Sequence, residues 1–187
     1  MPVALRPVRD EDFWIFERQA VDPAAVGSFN WSGFRAVARL KRQHGENNLL
    51  DRDGGRLIVL ADEAAVGDVT WRKVSYGDPS WWCWNIGISL LPEARGRGTG
   101  TAAQRLLVSY LFDTTTANRV EAYTDVANVA EQRALEKAGF TRDGLLRSVQ
   151  FRSGEWRDLY LYSLLRREFD GATGDRSSEG HDGRPAG

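Results

Sequence analysis

The chain has 187 residues, 25 Lys+Arg against 26 Asp+Glu, and a formal net charge of −1, which argues against holding nucleic acid by bulk charge. A hydrophobic fraction of 42% and a charged fraction of 27% are those of one globular domain. A single cysteine, Cys83, and two histidines, His44 and His181, exclude a disulfide framework and speak against a metal centre. No run approaches the ~20 apolar residues of a membrane span. The stretch from Met1 to Phe13 lacks the apolar segment of a secretory signal, so a cytoplasmic location without membrane contact is expected.

Residues 3–8 have the pattern of a short strand, with Pro7 pointing to a sheet edge. Asp10 is placed to cap a helix through Phe13, Trp14 and Phe16. A loop at 28–33 carries Phe29 and Trp31, and Ser32 is placed to cap a second helix through Phe34, Val37 and Leu40, ending near 44–48. Strands follow at 57–61, 66–74 and 82–91, the first two joined as a hairpin across 62–65. A helix over 98–113, a strand over 119–125 and a helix over 128–138 closed by Gly139 come next. Strand, helix, strand in this order predicts a βαβ crossover. A last hairpin pairs 145–151 with 156–165. The fold class expected is α/β (α+β): a mixed, mostly antiparallel sheet with a central βαβ crossover and flanking helices, over residues 1–170. Residues 171–187, rich in Gly, Ser, Asp, Arg and Pro, are expected to form a disordered tail.

The chemistry concentrates in Leu91-Pro92-Glu93-Ala94-Arg95-Gly96-Arg97-Gly98-Thr99-Gly100, which joins a strand to a helix. Backbone N–H groups at a helix start are unpaired, and the helix dipole with Arg95 and Arg97 adds positive potential. Glycines at 96, 98 and 100 let a ligand approach the backbone, so the segment has the makings of a pyrophosphate cradle. A dinucleotide site is the competing reading, because Gly98-Thr99-Gly100-Thr101-Ala102-Ala103 fits G-x-G-x-x-A. One βαβ unit, in mid-chain and among antiparallel strands, counts against it.

The same loop resembles the Arg/Gln-x-x-Gly-x-Gly/Ala signature of the GCN5-related N-acetyltransferases (GNAT), through Arg95, Gly98 and Gly100. Asn128 to Phe140 resembles the family's Asn-x-x-Ser…Lys-x-Gly-Phe helix, and Trp156-Arg-Asp-Leu-Tyr160-Leu-Tyr162 resembles the last strand of its RimJ/RimL-like subgroup. The ordered set covers residues 3–169. The resemblance implies acetyl-CoA as cosubstrate, no metal, and a primary amine as acceptor, whether on a small metabolite, an antibiotic-like molecule or a protein N-terminus. The protein would be a monomer or homodimer.

By that resemblance, Ile88, Ser89 and Leu90 pair with pantetheine at a splayed strand. The segment Arg95, Gly96, Arg97, Gly98, Thr99 and Gly100 holds the pyrophosphate, Lys137 adds to the carrier site, and Asn128 bonds the pantetheine arm or a water. Asn85 stands where many relatives have Glu, and a neutral amide cannot take a proton. Glu131 stands where relatives have Ser. Asp68, Glu121 and Asp125 are candidate bases acting through water. Tyr160 and Tyr162 share one strand face and are candidate acids for the leaving thiolate. Phe29, Trp31, Trp71 and Asn85 are the candidate acceptor residues. The departures at Asn85 and Glu131 leave open a second function class, an acyl-CoA sensor without turnover. Cys83 is expected to be a small buried hydrophobe.

Overall fold

The computed structural model describes residues 2–169, so the expectation for 171–187 lies outside the described residues. Eight strands form one sheet: β1 (Val3–Pro7), β2 (Leu50–Asp51), β3 (Gly54–Ala61), β4 (Ala64–Ser75), β5 (Trp82–Leu90), β6 (Arg119–Asp125), β7 (Thr141–Arg152) and β8 (Glu155–Leu165). They lie in the order β1-β3-β4-β5-β6-β8-β7, with β2 attached to β3. Neighbours are antiparallel except β5 and β6, which are parallel. This is the mixed sheet with a central crossover that the sequence order implies.

Helices α1 (Phe13–Val21), α2 (Pro23–Val26) and α3 (Ala38–Asn47) belong to one face, and α4 (Thr99–Thr114) and α5 (Val129–Ala138) to the other. Strand alternation sorts the side chains between them. Val69, Trp84, Ile86, Val120 and Ala122 join Leu107, Leu111 and Leu135 in the larger apolar cluster. Ile58 and Leu91 join Phe13, Ile15 and Phe16 in the second.

Local chemistry explains where the boundaries differ from expectation. Asp10 does not cap α1. It opens a 3₁₀ turn, Asp10–Asp12, and Asp12 is buried against the Arg6 guanidinium at 2.6 Å. Ser32 caps nothing: Gly33 takes φ +99°, Phe34 is 80% exposed, and α3 begins only at Ala38. The hairpin between β3 and β4 turns on Asp62 and Glu63, both with positive φ, the geometry that matches strand twist. The last hairpin turns on Ser153 and Gly154, also with positive φ.

The feature that positions the site is where β5 and β6 part. Their pairing runs Trp84↔Val120, Asn85↔Glu121 and Ile86↔Ala122, then stops, although β5 continues to Leu90 and β6 to Asp125. The Leu91 N–H donates to the Val66 carbonyl at 2.9 Å, toward β4. By alternation Ile88 and Leu90 turn their backbone groups the other way, into the opening. Gly67 lies under the same stretch, where a β-carbon would sit 2.2 Å from the Ser89 carbonyl oxygen.

Candidate active site

Two cavities meet at this opening. The first, about 520 Å³, is bounded by Gly96, Gly98 and Gly100, by Ile88 and Leu90, and by Arg133 and Lys137 of α5. Gly98 caps α4 at φ +81°, and no atom lies within 4 Å of where its β-carbon, or that of Gly96, would stand. The turn therefore presents bare backbone at the helix N-terminus, where anions are favoured. Arg95 lines this cavity, but its guanidinium is committed: Nε donates to the Leu90 carbonyl at 2.8 Å and a terminal nitrogen to the Ala25 carbonyl at 2.6 Å. It ties the end of β5 to α2. Arg97 is exposed and Thr99 buried, and neither lines the cavity.

The second cavity, about 370 Å³, takes residues from both faces of the sheet, among them Ile86, Ser89, Tyr123 and Gln104, so it passes through the opening itself. Phe29 and Tyr123 are its aromatic lining, and Phe29 is held by Arg152, which donates to the Phe29 carbonyl at 2.9 Å and lies over its ring. Asp68 is buried with Arg56 at 2.6 Å and also accepts from Gln19 of α1, which donates to Ser89 as well. Asp125 is buried in a pair with Arg152. Burial pushes the Asp125 carboxyl up, but the Ala127 N–H and the Arg152 guanidinium outweigh it and hold it below the usual carboxylate range.

Asn128 lines both cavities. Its side-chain oxygen caps α5 by accepting the Glu131 N–H at 3.3 Å, which leaves its amide NH₂ for a ligand. Glu131 also lines both and accepts a hydrogen bond from Gln104. Two buried oxygens, Gln104 Oε1 and Thr124 Oγ1, have no hydrogen-bond partner among the described residues, and both residues line the second cavity.

The remaining sequence candidates lie elsewhere. Asn85 is buried at the fork, its amide 3.5 Å from the Glu121 carbonyl, and lines neither cavity. Glu121 is fully buried, accepts from the Tyr76 and Tyr123 hydroxyls, and faces Arg119 at 3.5 Å. Tyr162 is fully buried on the α5 side, donating to Glu136 at 3.2 Å, and Tyr160 lies under Arg142. Period-two spacing put these tyrosines on one face correctly, the face shared with Ala122 and Thr124, but neither tyrosine lines either cavity. Trp71 is core, edge-on to Tyr110 of α4, and Trp31 packs against Phe34 outside the cavity wall. Two residues that the sequence did not single out as site residues, Arg152 and Gln104, emerge only from the fold.

The acetyltransferase (GNAT) domain family matches residues 3–141, most of the chain. The chain belongs to the GNAT acetyltransferases. It is an acetyl-CoA-dependent N-acetyltransferase. It is 26% identical over 173 residues to p20, an uncharacterized N-acetyltransferase of Bacillus licheniformis, covering 90% of this chain and 96% of that one. Its fold is similar to that of spermidine N-acetyltransferase from Vibrio cholerae, solved with CoA and spermine, at TM-score 0.75 and 18% identity over 89% and 97% of the two chains. The same holds for RimJ of Mycobacterium smegmatis with CoA-disulfide, at TM-score 0.72 and 24% identity over 92% and 89%. Among the described residues, no helix is long and apolar enough to cross a membrane, and no cluster of three or more metal-ligating side chains is present.

Proposed function

We propose that this GNAT enzyme acetylates a primary amine that enters the second cavity and attacks the thioester directly. The amine is carried by a small molecule, an antibiotic-like compound or a protein N-terminus. The observation that carries this reading is the opening beyond Ile86 and Ala122, which leaves the Ile88 backbone and the Leu90 N–H unpaired with β6 between the two cavities, the Leu90 carbonyl being taken by Arg95.

Acetyl-CoA fits these residues. The turn from Gly96 to Gly100 receives the pyrophosphate on bare amides, and Lys137 and Arg133 add positive charge from α5. The Ile88 backbone pairs with the pantetheine amides as an added strand would. The Leu90 N–H, on the same edge, faces the thioester oxygen where negative charge develops. The unpartnered Gln104 and Thr124 oxygens accept from donors that enter the second cavity. Arg95 acts indirectly, fixing the end of β5 at the right distance from α2.

The acceptor side carries one carboxylate without an ion pair among the described residues, Glu131, and aromatic surface from Phe29 and Tyr123. Asp68 and Asp125 face it from β4 and β6, each neutralised by an arginine, and Phe29 closes one wall. This surface suits a cationic amine with an apolar flank. The fold is similar to that of a spermidine N-acetyltransferase and an aminoglycoside acetyltransferase, which supports a small amine as the first class to try. The test is thiol release from acetyl-CoA with a panel of polyamines, aminoglycosides and peptide N-termini. Turnover with one class identifies the acceptor; tight CoA binding without release across the panel contradicts the proposal.

A further inference from the structure

We infer that Glu131 is a catalytic residue whose carboxylate takes the proton from the attacking amine and returns it to the departing thiolate. The inference rests on the function proposed above and assigns its missing proton acceptor.

Position singles this side chain out. Among the described residues, Glu131 is the one ionisable group that lines both cavities. It sits in the first turn of α5, over the place where a thioester in the opening would meet an amine from the second cavity. The other acids near the cleft are already balanced by cations: Asp68 by Arg56 and Asp125 by Arg152. Glu121 is enclosed by Tyr76, Tyr123 and Arg119 and reaches neither cavity. Glu131 has no ion-pair partner among the described residues and takes its hydrogen bond from the neutral Gln104 amide of α4. Gln104 is buried and its own oxygen is unpartnered. It positions the carboxylate without neutralising it.

The electrostatics agree with this geometry. Burial raises the Glu131 pKa, and the bond from Gln104 pulls it partway back. The charged groups facing it from β3, β4, β6 and β7 are the Arg56–Asp68 and Asp125–Arg152 pairs, which nearly cancel. Arg95, Arg133 and Lys137 lie around the first cavity, on the phosphate side. A carboxylate shifted toward neutrality is a better proton acceptor at working pH than an ordinary one.

The step balances. The amine reaches the cleft neutral, its ammonium proton having gone to water. The nitrogen lone pair forms the C–N bond at the thioester carbon while the oxygen charge is held by the Leu90 N–H. Glu131 removes the N–H proton. The carbonyl re-forms, the C–S bond breaks with its electron pair on sulfur, and Glu131 gives that proton to the thiolate. Amide and free CoA leave, and the carboxylate is restored.

The test uses the full-length chain, the best amine from the panel, and two variants. Glu131→Gln keeps the shape, and kcat should fall about 100-fold or more, with CoA affinity by calorimetry unchanged within about twofold. The wild-type kcat/KM should rise with pH through a limb above the ordinary carboxylate range, and Glu131→Gln should lack that limb. Gln104→Met removes the donor that holds the carboxylate pKa down, so its limb should move to higher pH; this decides the matter if Glu131→Gln does not fold. A Glu131→Gln enzyme within about threefold of wild type that keeps the limb, or an unmoved limb in Gln104→Met, overturns the assignment and leaves the acetyltransferase reading standing. A wild-type chain that binds CoA and releases no thiol with any amine overturns both.

Discussion

Arg152→Met is the sharpest test of how the acceptor wall is held. The side chain is 8% exposed and its partner Asp125 4% exposed. The guanidinium pairs with Asp125 and donates to the Phe29 carbonyl at 2.9 Å and to Gln150 at 2.8 Å. Methionine fills much of the volume but leaves the carboxylate buried, with the Ala127 N–H and the charge of Arg157 as its remaining support. Breaking a buried pair on one side costs about 3–5 kcal/mol. For a domain of this size that lowers Tm by roughly 6–20 °C. Because Arg152 also holds Phe29, KM for the amine should rise while CoA affinity changes little. Replacing both partners, Asp125→Leu with Arg152→Met, should recover most of the stability, since no charge is then stranded. Urea denaturation and calorimetry of the three variants measure this. A single-variant loss below about 1 kcal/mol, the range of an exposed pair, would refute the reasoning.

The same pair gives a pH dependence. The folded Asp125 pKa is depressed, so its stabilisation is present above the unfolded carboxylate range and is lost as pH falls through the folded value; Arg152→Met should flatten the acid limb of Tm against pH. Asp12, beside Arg6, is shifted in the same direction despite its burial and adds to that limb. Cys83 is buried, and burial with the nearby Glu121 pushes its thiol up to about 12, so a thiol reagent at pH 8 should label it only after denaturant is added. Tyr162→Phe should leave kcat within about twofold, because the hydroxyl bonds Glu136 away from the second cavity, and should cost about 1 kcal/mol of stability; a large fall in kcat would return the acid role to Tyr162. Leu135→Ala, on the buried face of α5, should cost about 2–5 kcal/mol in urea.

The local parts of the site were legible because they are written in neighbouring residues. Glycines at 96, 98 and 100 state a bare helix start whatever surrounds them, but not that Arg95 turns to the Leu90 and Ala25 carbonyls or that Arg97 stays outside the cavity lining. The pattern of Val66–Val74 and Trp82–Leu91 states paired strands. What could not be read is what distance in sequence conceals. Period-two spacing says that Tyr160 and Tyr162 share a face but not which face, since Ala122 and Thr124 across the ladder decide it. Arg152 ends β7 beside a hairpin turn, where arginines are ordinarily solvated, and is buried because it reaches Asp125 of β6 and the Phe29 carbonyl far back in the chain. Glu131 reads as a solvated first-turn acid favoured by the helix dipole; only Gln104 on another helix makes it a half-buried group at a junction. Ser32 misled because capping preference is a local signal, and the chain at Gly33 turns away from helix.

The central claim is that the carrier spans the parted strands, its phosphates on the turn and its thioester beside α5. A crystal structure of the chain with CoA measures it directly. The account predicts the pyrophosphate on the amides between Gly96 and Gly100, pantetheine along the Ile88–Leu90 edge, and sulfur near Glu131. Phosphates bound away from that turn, or β5 and β6 closed to each other beyond Ile86 and Ala122, would contradict it.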